Sequence, residues 1–133
     1  MRSPNALHLL LVAIVTCFCA PPTYSQNPDS LKLLLETASG KDKVKVLNQL
    51  YAAYSQTDPV SASTYNKEAL SLATEIKDSL GMAKATNNLG HIYSNHGALD
   101  KALEFYLKAE EIFIRLNNQE GMAASRSNIG TIY

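Results

Sequence analysis

The sequence predicts an all-α protein, built as a solenoid of antiparallel helix pairs. Three observations predict this class: a segment that recurs 40 residues further on, apolar residues spaced three and four apart, and helix-capping residues at regular intervals. No alternation of apolar and polar residues predicts a strand. We expect helices over residues 29–38, 41–56, 59–77, 79–95, 99–116 and 119–133.

The repeat is carried by two motifs that recur with an offset of 40 residues. Gly-Met-Ala at residues 81–83 recurs at 121–123, and Asn-Leu-Gly-His-Ile-Tyr at 88–93 recurs as Asn-Ile-Gly-Thr-Ile-Tyr at 128–133. Five apolar positions between the motifs keep the same period: Ala62, Tyr65, Ala69, Leu72 and Ile76, then Ala102, Phe105, Ala109, Ile112 and Leu116. Each unit is therefore predicted to be a helix pair that buries its apolar face against its neighbours.

Residues typical of helix ends stand between the predicted helices. Asp58 followed by Pro59 indicates a helix start, because Asp accepts a hydrogen bond from a free N–H group and Pro has none to satisfy. Asp78 and Asn118 occupy the equivalent positions before later helices. Gly97 tolerates a left-handed backbone and indicates a helix end.

These residues resemble the tetratricopeptide repeat, a helix pair joined by a short turn. Its first helix carries Leu-Gly-x-x-Tyr, which starts here at Leu89, and its second carries Ala-x3-Tyr-x2-Ala, which starts here at Ala102. The resemblance implies a superhelix whose first helices line a concave wall that binds a protein or peptide. Because Tyr51 stands at the glycine position of the first unit, we expect that unit to pack more loosely. The units are residues 41–78, 79–118 and, in part, 119–133.

Long-helix repeats of this kind resemble the exported N-terminal sensor regions of bacterial membrane histidine kinases. The resemblance implies that the chain is the extracytoplasmic sensor or scaffold region of a larger signal-transduction protein, with a kinase in a further C-terminal region. A self-contained secreted or periplasmic scaffold protein is the alternative. Tyr133 falls inside the first helix of the third unit, so we expect the natural protein to continue beyond it.

Residues 1–25 are predicted to be a signal peptide, followed by a leader helix within residues 26–40. The apolar run from Leu7 to Ala20 spans about 20 Å as a helix, whereas a bilayer needs about 30 Å. Thr23 and Ser25 supply the small side chains that a signal peptidase accepts, which predicts cleavage near Ser25 and export to the periplasmic or extracytoplasmic side. Both cysteines lie in the removed part.

Composition and motifs argue against most chemistry. Twelve basic and twelve acidic side chains give a net charge of zero, so no basic surface is predicted for nucleic acid. His91 and His96 are five residues apart and fall on different helix faces, so no metal or cofactor is expected. No nucleophile motif is present, and the residues present are not expected to form an enzyme. Membrane association is expected only through a further downstream segment.

The candidate site is a polar stripe along the predicted concave wall, where amide side chains would bind an extended peptide backbone. Asn87 and His91 are expected to face the ligand. Asn88, Asn128 and Gln49 have the alternative of bonding backbone carbonyls of adjacent helices. Lys84 is the one cation expected in the groove, so acidic peptide tails are not favoured. The full set is Asn48, Gln49, Lys84, Asn87, Asn88, His91, Asn95, Ser127 and Asn128.

Overall fold

The computed structural model describes residues 27–133, and this part of the chain is all-α, as predicted. It contains six helices and no strand: α1 (Pro28–Thr37), α2 (Gly40–Tyr54), α3 (Pro59–Glu75), α4 (Ser79–Asn95), α5 (Leu99–Arg115) and α6 (Gln119–Gly130). α6 is shorter than expected, because the Thr131 N–H is shared between the Ser127 and Asn128 carbonyls and the last turn tightens. The predicted signal peptide, residues 1–25, lies outside the described residues.

Polar side chains begin three of the helices. Asn27 accepts a hydrogen bond from the Asp29 N–H at 3.0 Å, and Asp58 accepts one from the Ser61 N–H at 3.1 Å. Asn118 accepts one from the Gly121 N–H at 2.7 Å. These bonds satisfy N–H groups that the first turn of a helix leaves free. The side chain at the start of α4 makes no such bond.

The long helices α3, α4 and α5 have 17 residues each and end in the same way. A residue with a left-handed backbone closes each one: Lys77 at φ 56°, Gly97 at φ 74° and Asn117 at φ 50°. The N–H of the residue that follows then bonds back to the carbonyl five residues earlier, as from Asp78 to Ala73 at 2.8 Å. These turns are 20 residues apart, which is half of the 40-residue period of the sequence.

Each helix packs against the next one in sequence, and α4 also contacts α2 and α6. The buried apolar side chains form three clusters along the chain rather than one centre. They consist of Leu31, Val46 and Leu50, then Leu47, Ala69 and Ala85, and then Ala83, Ala109 and Phe113. None of the helices within residues 27–133 is long and apolar enough to cross a membrane.

The expected loosening of the first unit is not found. Leu47 and Leu50 are fully buried, and Tyr51 is only 5% exposed. A tyrosine is accommodated at this glycine position of the repeat because its side chain turns toward α4. The Tyr51 hydroxyl lies there 2.7 Å from the His91 Nδ1 and 3.3 Å from the Asn88 carbonyl oxygen.

Candidate functional site

A groove of about 560 Å³ lies between α2 and α4. We call it the α2–α4 groove; its walls are Lys41, Asp42, Val44, Lys45, Asn48, Gln49, Ala52, Asp78, Leu80, Gly81, Lys84 and Asn88. Four of the predicted site residues, Asn48, Gln49, Lys84 and Asn88, therefore lie together on one surface. This surface combines amide groups, which both donate and accept hydrogen bonds, with charged groups of both signs.

Small residues on α4 bring its start close to α2. A Cβ atom added to Gly81 would contact the Val44 side chain and the Asp78 carboxylate, so only glycine fits there. Ala85 on the same helix is fully buried in one cluster with Leu47 of α2. The groove is consequently lined beside Gly81 by the Val44 side chain and the Asp78 carboxylate.

Asparagine side chains connect successive first helices. The Asn88 Nδ2 donates to the Asn48 Oδ1 at 3.1 Å, which joins α4 to α2. One repeat later, the Asn128 Nδ2 donates to the Asn87 Oδ1 at 3.2 Å, which joins α6 to α4. We call these two bonds the asparagine ladder. Its amide groups are thus partly used within the protein, and through side chains rather than the backbone carbonyls that the sequence suggested.

The first rung of the ladder is also anchored on α3. Asn66 is fully buried, and its Oδ1 accepts the second N–H of the Asn88 amide at 3.0 Å. The Asn66 Nδ2 in turn donates to the Ala85 carbonyl at 3.0 Å. Both N–H groups of Asn88 are therefore occupied, so Asn88 contributes little free hydrogen-bonding capacity to the groove.

Asn87 and His91 are not placed as the sequence suggested. The Asn87 Oδ1 accepts hydrogen bonds from the Ser125 hydroxyl and the Asn128 amide, both at 3.2 Å. The His91 ring stands edge-on to the Tyr51 ring and pairs with its hydroxyl. Both side chains bridge helices, because one residue of helix rotates a side chain by about 100° and turns position 87 away from the groove that position 88 lines.

The remaining predicted residues lie away from the α2–α4 groove. Asn95 lines a separate cavity of about 170 Å³ together with Tyr51, Ile92 and His96. Ser127 is exposed on α6. The predicted site residues therefore do not form one surface. Some line the α2–α4 groove, some bond to neighbouring helices, and Asn95 and Ser127 lie elsewhere.

The structure adds four charged residues that the sequence analysis missed. Lys41 and Lys45 line the groove beside Lys84, so the expectation of a single groove cation is wrong. Asp42 and Asp78 bring two carboxylates to the same walls. The helical spacing 41, 45, 48, 52 could have identified the two lysines, because it continues the face of Asn48 toward the start of α2.

Burial raises the pKa of the Tyr51 hydroxyl above its ordinary value, and the nearby Tyr106 adds to the effect. Tyr51 therefore stays a neutral hydrogen-bond donor at physiological pH, which suits its contact with α4. Within residues 27–133, no group of three or more His, Cys, Asp or Glu side chains is placed to hold a metal ion.

No protein-family model matches the chain, and no curated protein matches it.

Proposed function

We propose that the chain is a non-catalytic helical-repeat module that binds an extended peptide or protein segment in the α2–α4 groove. The observation that carries this proposal is the groove itself, which is open and lined by amide and ammonium groups on two adjacent helices. Gln49 is half-buried and Lys84 exposed, so both side chains are accessible from the groove. Groups of this kind bind main-chain carbonyls and N–H groups of an extended peptide.

The proposal includes a stacked arrangement of helix pairs, similar to tetratricopeptide repeats with long helices. The asparagine ladder supports it, because equivalent residues make equivalent bonds in successive units. A second recurring contact also supports it. Tyr54 stacks on Tyr65 with 5.8 Å between ring centroids, and Tyr93 stacks on Phe105 at 5.3 Å.

We further propose that the module works outside the cytoplasm, as the sensor or scaffold region of a larger signal-transduction protein. The apolar run at residues 7–20 and the small residues Thr23 and Ser25 support export. The signalling role is supported by the resemblance to sensor regions of histidine kinases. Mass spectrometry of the exported protein should find Gln26 at its amino terminus, and an intact Met1 would contradict export.

Peptide binding is tested by panning a phage-displayed library of random peptides against the full chain. Selected peptides are then titrated by calorimetry and by amide chemical shifts. We expect shifts in residues 41–52 and 78–88. The double variant Gln49→Ala/Lys84→Ala should bind at least about tenfold more weakly, since it removes one amide and one ammonium group from facing helices of the groove.

A matched control uses the outer surface of α5, where Lys108 and Glu104 form an exposed ion pair. The variant Glu104→Ala/Lys108→Ala should keep full affinity for the selected peptides. Equal affinity of the groove variant and this control, or chemical shifts confined to α5, would show that the groove is not the binding surface.

A further inference from the structure

Asp78 is the one carboxylate of the α2–α4 groove that is nearly buried, with 8% of its surface exposed. It begins α4, but its side chain makes no capping hydrogen bond to that helix. It also belongs to none of the four ion pairs formed within residues 27–133. No enclosed side-chain oxygen within residues 27–133 lacks a hydrogen-bond partner, so the Asp78 oxygens remain accessible from the groove.

The residues that begin α3 and α6 behave differently. Asp58 accepts the Ser61 N–H and the Ser61 hydroxyl, and Asn118 accepts the Gly121 N–H. Their polar side chains are occupied by the helices that they begin. Asn118 is the residue one repeat after Asp78, yet Asp78 makes no such bond, and its carboxylate lines the groove beside Gly81. The Asp78 carboxylate therefore lies beside the first turn of α4 without a capping hydrogen bond.

The charges around Asp78 restrict what can reach it. Lys41, Lys45 and Lys84 line the same groove and are exposed. These three ammonium groups outnumber the carboxylates of Asp42 and Asp78, so they repel a ligand that carries several positive charges, whereas the Asp78 carboxylate attracts a single one. The complementary ligand has one ammonium group and a neutral or acidic remainder, a description that fits the free amino terminus of a peptide better than a lysine-rich segment.

We propose that the α2–α4 groove captures a peptide by its free amino terminus, with the ammonium group docked on the Asp78 carboxylate. This inference rests on the proposed peptide-binding function and specifies which end of the peptide is recognised. The amides that line the groove then contact the main chain that follows the terminus.

The test uses random hexapeptide pools with amidated carboxyl termini, synthesised in three forms. One pool has free amino termini, the second has acetylated amino termini without lysine, and the third has acetylated amino termini with one lysine. Each pool is titrated into the full chain while the amide shifts of Gln49, Gly81 and Lys84 are followed. We expect the free pool to bind at least about tenfold more tightly than both acetylated pools.

The variant Asp78→Asn removes the charge and keeps a residue that begins helices well, as Asn118 shows in α6. It should lose the preference for free amino termini while its melting curve stays close to that of the unmodified chain. Asp58→Asn is the control, because it makes the same charge change at the start of another helix, outside the groove, and should keep the preference.

The outcomes separate the two proposals. Equal shifts with the free and acetylated pools would overturn amino-terminal recognition and leave peptide binding intact. Preference for the acetylated lysine pool would also overturn it, because the ammonium would then come from a side chain. No shift with any pool would overturn both proposals. The comparison of pools on the unmodified chain decides the matter even where Asp78→Asn folds poorly.

Discussion

The two complete helix pairs, α2–α3 and α4–α5, place their large buried side chains on opposite helices. In the first pair, Tyr51 stands on α2 and the smaller Asn66 on α3. In the second pair, Gly90 takes the position of Tyr51, and Tyr106 on α5 takes the position of Asn66. Tyr106 is 2% exposed, and a Cβ on Gly90 would lie 2.5 Å from its ring. Equivalent positions of the repeat thus share burial but not residue size.

This exchange changes how each pair is connected to its neighbour. Tyr51 is large enough to reach α4 and bond there, whereas Gly90 allows α5 to approach α4 closely. Asn66 anchors the first rung of the asparagine ladder, and Tyr106 has no amide with which to anchor the second. The first pair is therefore connected through buried polar groups and the second through an aromatic ring packed on glycine.

The largest effect is expected from removing that ring. Tyr106→Ala should lower the free energy of unfolding by about 3–5 kcal/mol, because it leaves a cavity against Gly90 that a rigid helix pair cannot close. Urea denaturation followed by circular dichroism measures the change. Leu107→Ala is the control on the same helix, since Leu107 is 49% exposed and should cost clearly less. Equal costs would show that Tyr106 does not hold the second pair together.

The reverse change, adding volume at the glycine, should cost less. Gly90→Ala should lower the free energy of unfolding by about 1–3 kcal/mol, because the new methyl group meets the Tyr106 ring. Gly130 is the equivalent position in α6, and a Cβ there meets nothing within 4 Å. Gly130→Ala should therefore be neutral or stabilising by up to about 1 kcal/mol, as expected for a helical glycine. If both Gly90→Ala and Gly130→Ala destabilise the protein, the cause is the backbone of these glycines and not contact with the Tyr106 ring.

The two bonds of the asparagine ladder should contribute unequally to stability, because only the first one is anchored on a buried side chain of the neighbouring helix. Asn88→Ala should cost about 1–3 kcal/mol, because it leaves the buried Asn66 Oδ1 without its donor. Asn128→Ala removes only the bond to Asn87, which also accepts from Ser125, and should cost about 1 kcal/mol or less. Thermal melting of the two variants side by side tests the difference. A larger loss in Asn128→Ala would contradict the anchoring role of Asn66.

The sequence was sufficient to predict the helices and their turns, because these depend on local signals. Apolar spacing indicated which face each helix buries, and residues such as Asp58 and Gly97 indicated where helices begin and end. The sequence did not reveal that Asn87 and Asn88 have different partners, since neighbouring residues differ by about 100° in direction and only the packing angle of two helices decides which faces the groove. The missing capping bond of Asp78 had no local signal either, because its sequence context matches that of a capped helix.

The smallest effect concerns two turns, the one that joins the first pair to the second and the one within the second pair. The turn after α4 uses Gly97 in the left-handed region, whereas the turn after α3 uses Lys77 at φ 56°. A left-handed backbone costs a residue with a Cβ about 1 kcal/mol more than glycine. Lys77→Gly should therefore raise the free energy of unfolding by up to about 1 kcal/mol, partly offset by the greater freedom of glycine in the unfolded chain. Lys77→Ala, which keeps the Cβ, should give no such gain. A gain with alanine as large as that with glycine would show that the lysine side chain, and not its backbone conformation, weakens this turn.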